Sequence, residues 1–206
     1  MVEMLRRIVA DPALHSRWLN TLSMMENSGA KKIKRCEHPL LVDQIILKHA
    51  AEEARHAYYL KRQIAKIDAD ACPTYEAPYL IAANSSYSYI SRLDVEVCRY
   101  LKKEYGYDKD QLKYAAYLLV TYAIEVRADE LYPIYEQVLN ESSSNVSVRS
   151  IIAEEENHLY EIGKQLKAFT QEWEKLCADA VKLESKLFEK WIEGVRSELK
   201  MSPVVL

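Results

Sequence analysis

Two stretches of the sequence, AEEARHAYYL at 51–60 and AEEENHLYEI at 153–162, each contain Glu-x-x-His, as Glu53–His56 and Glu155–His158. With only five histidines in the chain, two of them stand three residues after a glutamate in similar frames. Residues three apart share a face of an α-helix, so each pair presents a carboxylate and an imidazole side by side. Such a pair can ligate a metal ion or close a salt bridge. The neighbours on those faces are apolar: Val42, Ile45 or Ile46, Leu60 and Ile67 around the first pair, and Ile151, Ile152, Leu159, Ile162 and Leu166 around the second. Both pairs therefore interrupt stripes that should face a core. Two single glutamates do the same: Glu26 follows Leu22 and Met25, and Glu125 ends the apolar run LLVTYAI.

The spacings agree with one another. From Glu26 to Glu53 is 53 − 26 = 27 residues, and from Glu125 to Glu155 is 155 − 125 = 30. Each interval fits half a helix, a short loop and half of an antiparallel partner, so two hairpins would bring four glutamates and two histidines to one depth. The remaining gap, 125 − 53 = 72 residues, leaves room for a crossover that holds another helix. An unpaired buried carboxylate costs several kcal/mol, and like charges raise one another's pKa. Two divalent cations would bring +4 against the −4 of four glutamates, so metal is the natural solution. The register has alternatives, because Glu52 stands beside Glu53, and Glu154 also shares a face with His158; the matched intervals favour Glu53 and Glu155.

The elements that must position these groups read as helices. Four glycines and six prolines in 206 residues favour an all-α chain, and the length suits a single domain over 1–206. Asp11-Pro12 should open a helix running to about Lys34, with Leu14, Trp18, Leu22, Met25 and Ile33 on one side. His38-Pro39 should open a second, continuing to about Ile67, followed by a loop at 68–78 and a helix from Leu80 to about Tyr105. Asp108 should cap a helix over about 109–139, kinked or broken near Tyr132 by Pro133. A polar loop at 141–147, a helix at about 148–169 and an amphipathic C-terminal helix at about 170–200 complete the chain. The last carries Trp173, Leu176, Ala180, Leu187, Trp191 and Val195 as its apolar stripe.

Glu26, Glu53-x-x-His56, Glu125 and Glu155-x-x-His158 resemble the ligand set of the ferritin-like di-iron carboxylate superfamily, in layout over roughly residues 12–169. The resemblance implies a four-helix bundle with one long crossover; the helices read from the chain place an extra helix in that crossover and add the C-terminal helix. It implies Glu26 and Glu125 as terminal carboxylates, Glu53 and Glu155 as bridging ones, and His56 and His158 each on one metal. The four glutamates are the candidate catalytic groups, and all six residues the candidate metal ligands. The implied cofactor is two Fe ions, with Mn as the alternative. The leading expectation is a cytoplasmic oxidoreductase that uses O2 or peroxide and an electron donor to oxidise or hydroxylate a small or medium organic substrate. A ferroxidase or rubrerythrin-like peroxide or iron handler and a non-catalytic metal-stabilised bundle are the rivals. AIEVRADELY at 123–132 is weakly similar to the tRNA hydroxylases acting on a hypermodified adenosine.

Other groups have ordinary readings. A net charge of −3 disfavours nucleic acid as the main partner. The run YAAYLLVTYAI at 114–124 is too short to span a membrane, MVEMLRRIVADP has no targeting signal, and the four cysteines form no Cys-x-x-Cys pair, as expected of reduced cytoplasmic thiols. His49 is a satisfied core histidine or a helper to the site. Tyr59 and Tyr122 are core packing or ligand partners, and Arg127 and Asp129 are candidates to steady the ligands. KKIKR at 31–35 complements a helix C-terminus or contacts phosphate, and the C-terminal helix covers the bundle or forms a homodimer surface.

Overall fold

Aspartates set the starts of three long helices. Asp11 accepts from the backbone N–H groups of Ala13 and Leu14, Asp43 from those of Ile45 and Ile46, and Asp108 from those of Asp110 and Gln111. Gln111 reaches back to the Asp108 N–H, closing a reciprocal capping box. The computed structural model describes residues 1–38 and 40–201, apart from the side chain of Glu156. Among these residues there are seven α-helices and no strand: α1 (Val2–Val9), α2 (Pro12–Cys36), α3 (Gln44–Ile64), α4 (Ala83–Tyr105), α5 (Lys109–Glu141), α6 (Arg149–Phe169) and α7 (Trp173–Glu198). A short 3-10 turn at Ala77–Tyr79 precedes α4. No helix is long and apolar enough to cross a membrane among the described residues.

The pairing follows from the apolar stripes. α2 packs along α3, and α5 along α6, giving the two hairpins that the glutamate intervals require. The connection from α3 to α5 carries α4, which lies against α5, α7 and α2. Ion pairs link the hairpins at their surface, with the Arg55 guanidinium gripping both oxygens of Glu154 at 2.8 and 2.7 Å and Lys48 reaching Glu161 at 2.6 Å. Apolar residues from all seven helices join one buried cluster. Trp191 of α7 is sandwiched between Trp18 of α2 and Tyr89 of α4, with stacked ring centroids 5.5 and 5.4 Å away. Gly194 permits this approach of α7 to α4, because a Cβ there would collide with the Ser85 side chain.

The structure departs from the sequence expectations in four places. α3 starts at Gln44 rather than at His38-Pro39, since Asp43 supplies the side-chain cap; Pro39 lies outside the described residues, and Val42, expected on the buried face, is 75% exposed. α4 starts at Ala83 rather than Leu80, after Ala82 turns through a left-handed conformation (φ 45°). α5 runs on through Pro133. Pro133 and Asp129, whose carbonyl loses its helical donor, are both exposed, so water can satisfy that carbonyl. The N-terminal segment, read only for signals, forms α1 and buries Met4, Leu5 and Ile8 completely.

Candidate metal centre

Each hairpin delivers three of the six residues to the bundle interior: Glu26 from α2 with Glu53 and His56 from α3, then Glu125 from α5 with Glu155 and His158 from α6. Their atoms fall into two groups that could each hold a metal ion, Glu26–Glu53–His56–Glu155 and Glu53–Glu125–Glu155–His158, with one ligand atom per residue all within 4.8 Å of one another. Ligands about 2.1 Å from one cation lie about 3 to 4 Å apart, so this envelope is the right size. Glu53 and Glu155 belong to both groups. Five of the six residues are at most 7% exposed. Glu26 keeps more accessible surface because it faces an internal cavity.

The imidazoles are oriented alike. His158 turns Nδ1 toward Glu155 (3.2 Å), Glu125 (3.5 Å) and Glu53 (3.9 Å), and His56 turns Nδ1 toward Glu155 at 3.1 Å. That His56 atom is buried without a hydrogen bond, so its contact with Glu155 is proximity without donor–acceptor alignment. The far nitrogens are held by carboxylates: His56 Nε2 lies 2.8 Å from Glu154, and His158 Nε2 lies 2.8 Å from Glu52. The neighbour of each shared glutamate, Glu53 and Glu155, thus steadies the histidine of the opposite hairpin, the arrangement by which metal-binding imidazoles are aimed. The two candidate registers resolve into two roles. Glu53 and Glu155 enter the cluster, while Glu52 and Glu154 brace it.

The electrostatics are those of a site with surplus negative charge. Burial and then mutual repulsion push the carboxyls of Glu53 and Glu125 well above the ordinary range, and burial also raises Glu26. Burial would raise Glu155 too, but hydrogen bonds from Glu125 and His158, with the charge of the nearby His56, outweigh it and hold this carboxyl low. On His158 burial opposes the positive charge, yet Glu155 and Glu53 prevail and push it up to about 9; His56 is raised against burial by Glu155 and Glu26. Even with both imidazoles protonated, four carboxylates leave −4 + 2 = −2, and cations would remove the need for shared protons.

The other candidates separate from the cluster. His49 is satisfied by the Tyr117 hydroxyl (3.2 Å) and Glu161 (3.0 Å) and packs its ring 5.0 Å from His158. Tyr59 donates to the Ser147 carbonyl, while Tyr122 is half-buried elsewhere. Arg127 does not reach the ligands; it pairs with Glu184 and Glu130, and Asp129 is exposed. The tyrosine that does touch the cluster is Tyr132, buried, whose hydroxyl donates to Glu26. Its position seven residues after Glu125, two turns along the same face, was the available signal.

A cavity of about 350 Å³ opens beside the cluster, between α2, α4 and α5 with Trp191 of α7. Glu26, Glu53, Glu125 and Tyr132 form part of its wall, and most of the remainder is apolar, including Met25, Leu93, Val120 and Ile124. No family model, curated protein or solved structure matches the chain.

Proposed function

We propose that the chain is a ferritin-like di-metal oxidoreductase, of the di-iron carboxylate type with manganese as the other suited ion, that oxidises an organic substrate in the cavity beside its carboxylates. The supporting observation is that cavity, with three cluster glutamates in its wall. Glu26 and His56 would complete one cation site, Glu125 and His158 the other, with Glu53 and Glu155 shared. Carboxylate and imidazole ligands together suit Fe(II) or Mn(II), and a bound redox pair supplies electrons to O2 or peroxide.

The chain's own groups account for the rest. Glu52 and Glu154 hold the imidazole rings, and the Tyr132 hydroxyl fixes Glu26 at the cavity edge. The apolar wall keeps bulk water away from the reacting carbon. α4 and α7, which lie beyond the two hairpins, supply Leu93, Tyr89 and Trp191 to that wall; an iron-storage bundle has no use for such a chamber. For a tRNA substrate the favourable feature is cationic Lys32, Arg35 and Lys113 along the same lining, a small footprint for a phosphate backbone.

Protein from iron-supplemented cells should carry about two metal ions per chain by elemental analysis. The anaerobic ferrous form should consume O2. Glu53→Ala should lose most of the metal and the O2 uptake together. Unchanged metal content in that variant would remove the site, and metal without O2 uptake would leave a structural bundle.

A further inference from the structure

The cavity has opposite electrical ends. Along α2 its lining includes Glu26 and, nine residues or about 14 Å further, Arg35; along α5 it includes Glu125 and, twelve residues or about 18 Å back, Lys113. The part beside the cluster therefore carries Glu26, Glu53 and Glu125, with Arg127 in the lining there but paired to Glu184 and Glu130, and the other end carries Lys32, Arg35 and Lys113, with Asp94 as the opposing charge. Lys32 is tied to Asp94 and to the Ile90 carbonyl. Arg35 and Lys113 are exposed and make no ion pair or hydrogen bond among the described residues. The three cations and one carboxylate leave 3 − 1 = +2 at this mouth. Between the two the lining is mostly apolar, with Ile33, Leu93, Ala116 and Val120 among its residues. The stacked Tyr89 and Trp191 lie at the inner end.

We propose that this cavity binds an amphiphile, an unbranched apolar chain ending in an anionic head, with Arg35 and Lys113 gripping the head at the mouth and the chain running inward to the carboxylates. The polarity allows one orientation: an anionic head is drawn to the mouth and repelled from the glutamates. The distance from mouth to cluster accommodates roughly ten to twelve carbons, taking C–C bonds of about 1.5 Å in a staggered chain. The head group then acts as a fixed origin, and the part of the chain facing Glu26, Glu53 and Glu125 is the part farthest from it. This deepens the oxidoreductase reading and rests on it for the fate of the chain, though the binding itself does not depend on that reading.

Calorimetric titration of the full chain, with probes kept below their aggregation thresholds, tests the site. Dodecanoate and dodecyl phosphate should bind once per chain, about tenfold or more tighter than dodecanol, while dodecyltrimethylammonium should bind more weakly than the alcohol. Either anion supports the inference, and the tighter one tells carboxylate from phosphate. The surface double variant Arg35→Ala/Lys113→Ala should lose about tenfold toward the anions and nothing toward dodecanol. Val120→Trp should abolish binding of all the probes by filling the chamber. Equal affinity for acid and alcohol, an unchanged double variant, or no binding at all would overturn the inference. A protein that binds these anions yet neither takes up two cations nor consumes O2 keeps this site and loses the oxidoreductase reading; metal and O2 uptake without amphiphile binding does the reverse.

Discussion

Two groups of buried carboxylates lie within the same helical bundle under opposite conditions. Glu184 of α7 is 1% exposed and fully answered: the Arg127 guanidinium meets both its oxygens at 3.0 and 2.7 Å, and the Tyr89 hydroxyl donates at 2.6 Å. Phe188 covers the guanidinium from 3.9 Å. Glu136 is similarly answered by Arg149 and by the Val148 N–H at 2.7 Å. Each of these carboxylates has a guanidinium to pair with. Among the described residues no arginine or lysine forms an ion pair with Glu26, Glu53, Glu125 or Glu155; they face only two imidazoles, whose other nitrogens are already engaged by Glu52 and Glu154. Burial of a carboxylate is therefore not what marks a site. The marking feature is a deficit of positive charge that the protein does not repair from its own side chains.

The comparison can be tested by removing one carboxylate from each group. Glu155→Ala deletes an atom shared by both candidate cation positions and should drop metal content from about two ions per chain to less than one by elemental analysis. Glu184→Ala should leave metal content unchanged but leave Arg127 with only the exposed Glu130 as charged partner, costing about 1.5–3 kcal/mol in urea unfolding. If both variants lose metal, or both lose only stability, the distinction fails.

Glu154→Ala frees His56 Nε2 without touching the cluster carboxylates. It should weaken one of the two ions by about 10- to 100-fold in a competition titration, leaving the other near its original affinity. Glu125→Gln should act in the reverse sense on protein stripped of metal. A carboxyl raised by burial and repulsion binds its proton more tightly folded than unfolded. Its contribution is complete below the ordinary carboxylate range and is lost as pH climbs through the raised value. Glutamine removes that loss, so thermal melts in chelator should show the variant gaining on the parent at pH 8 more than at pH 5. The smallest effect belongs to His49→Phe. It should leave both cations in place and cost about 1 kcal/mol, by breaking the hydrogen bonds to Tyr117 and Glu161.

Much of this was legible in the sequence because it rests on local periodicity. The intervals of 27 and 30 residues correspond to the hairpins α2–α3 and α5–α6, and Asp11 and Asp108 mark real helix starts. The six residues read from their faces are those that converge. What stayed hidden depends on contacts between distant segments. Glu52 meets His158 across 106 residues, and Tyr132 meets Glu26 across the same separation, so no helical repeat links them. The cavity was invisible for another reason, since its width is set by how α4 and α7 settle on α2 and α5. The start of α3 was misplaced because His38-Pro39 competes with Asp43 as a signal, and the side chain that caps the helix is the aspartate.

The crossed bracing of the imidazoles has a consequence for the order of assembly. A newly made α2–α3 unit contains His56 but not the carboxylate that aims it, and the α5–α6 unit lacks the one that aims His158. Neither half can prepare its own nitrogen for an ion. Tight cation capture thus comes late, once both halves have closed on one another, and the occupied protein is by construction the fully docked one.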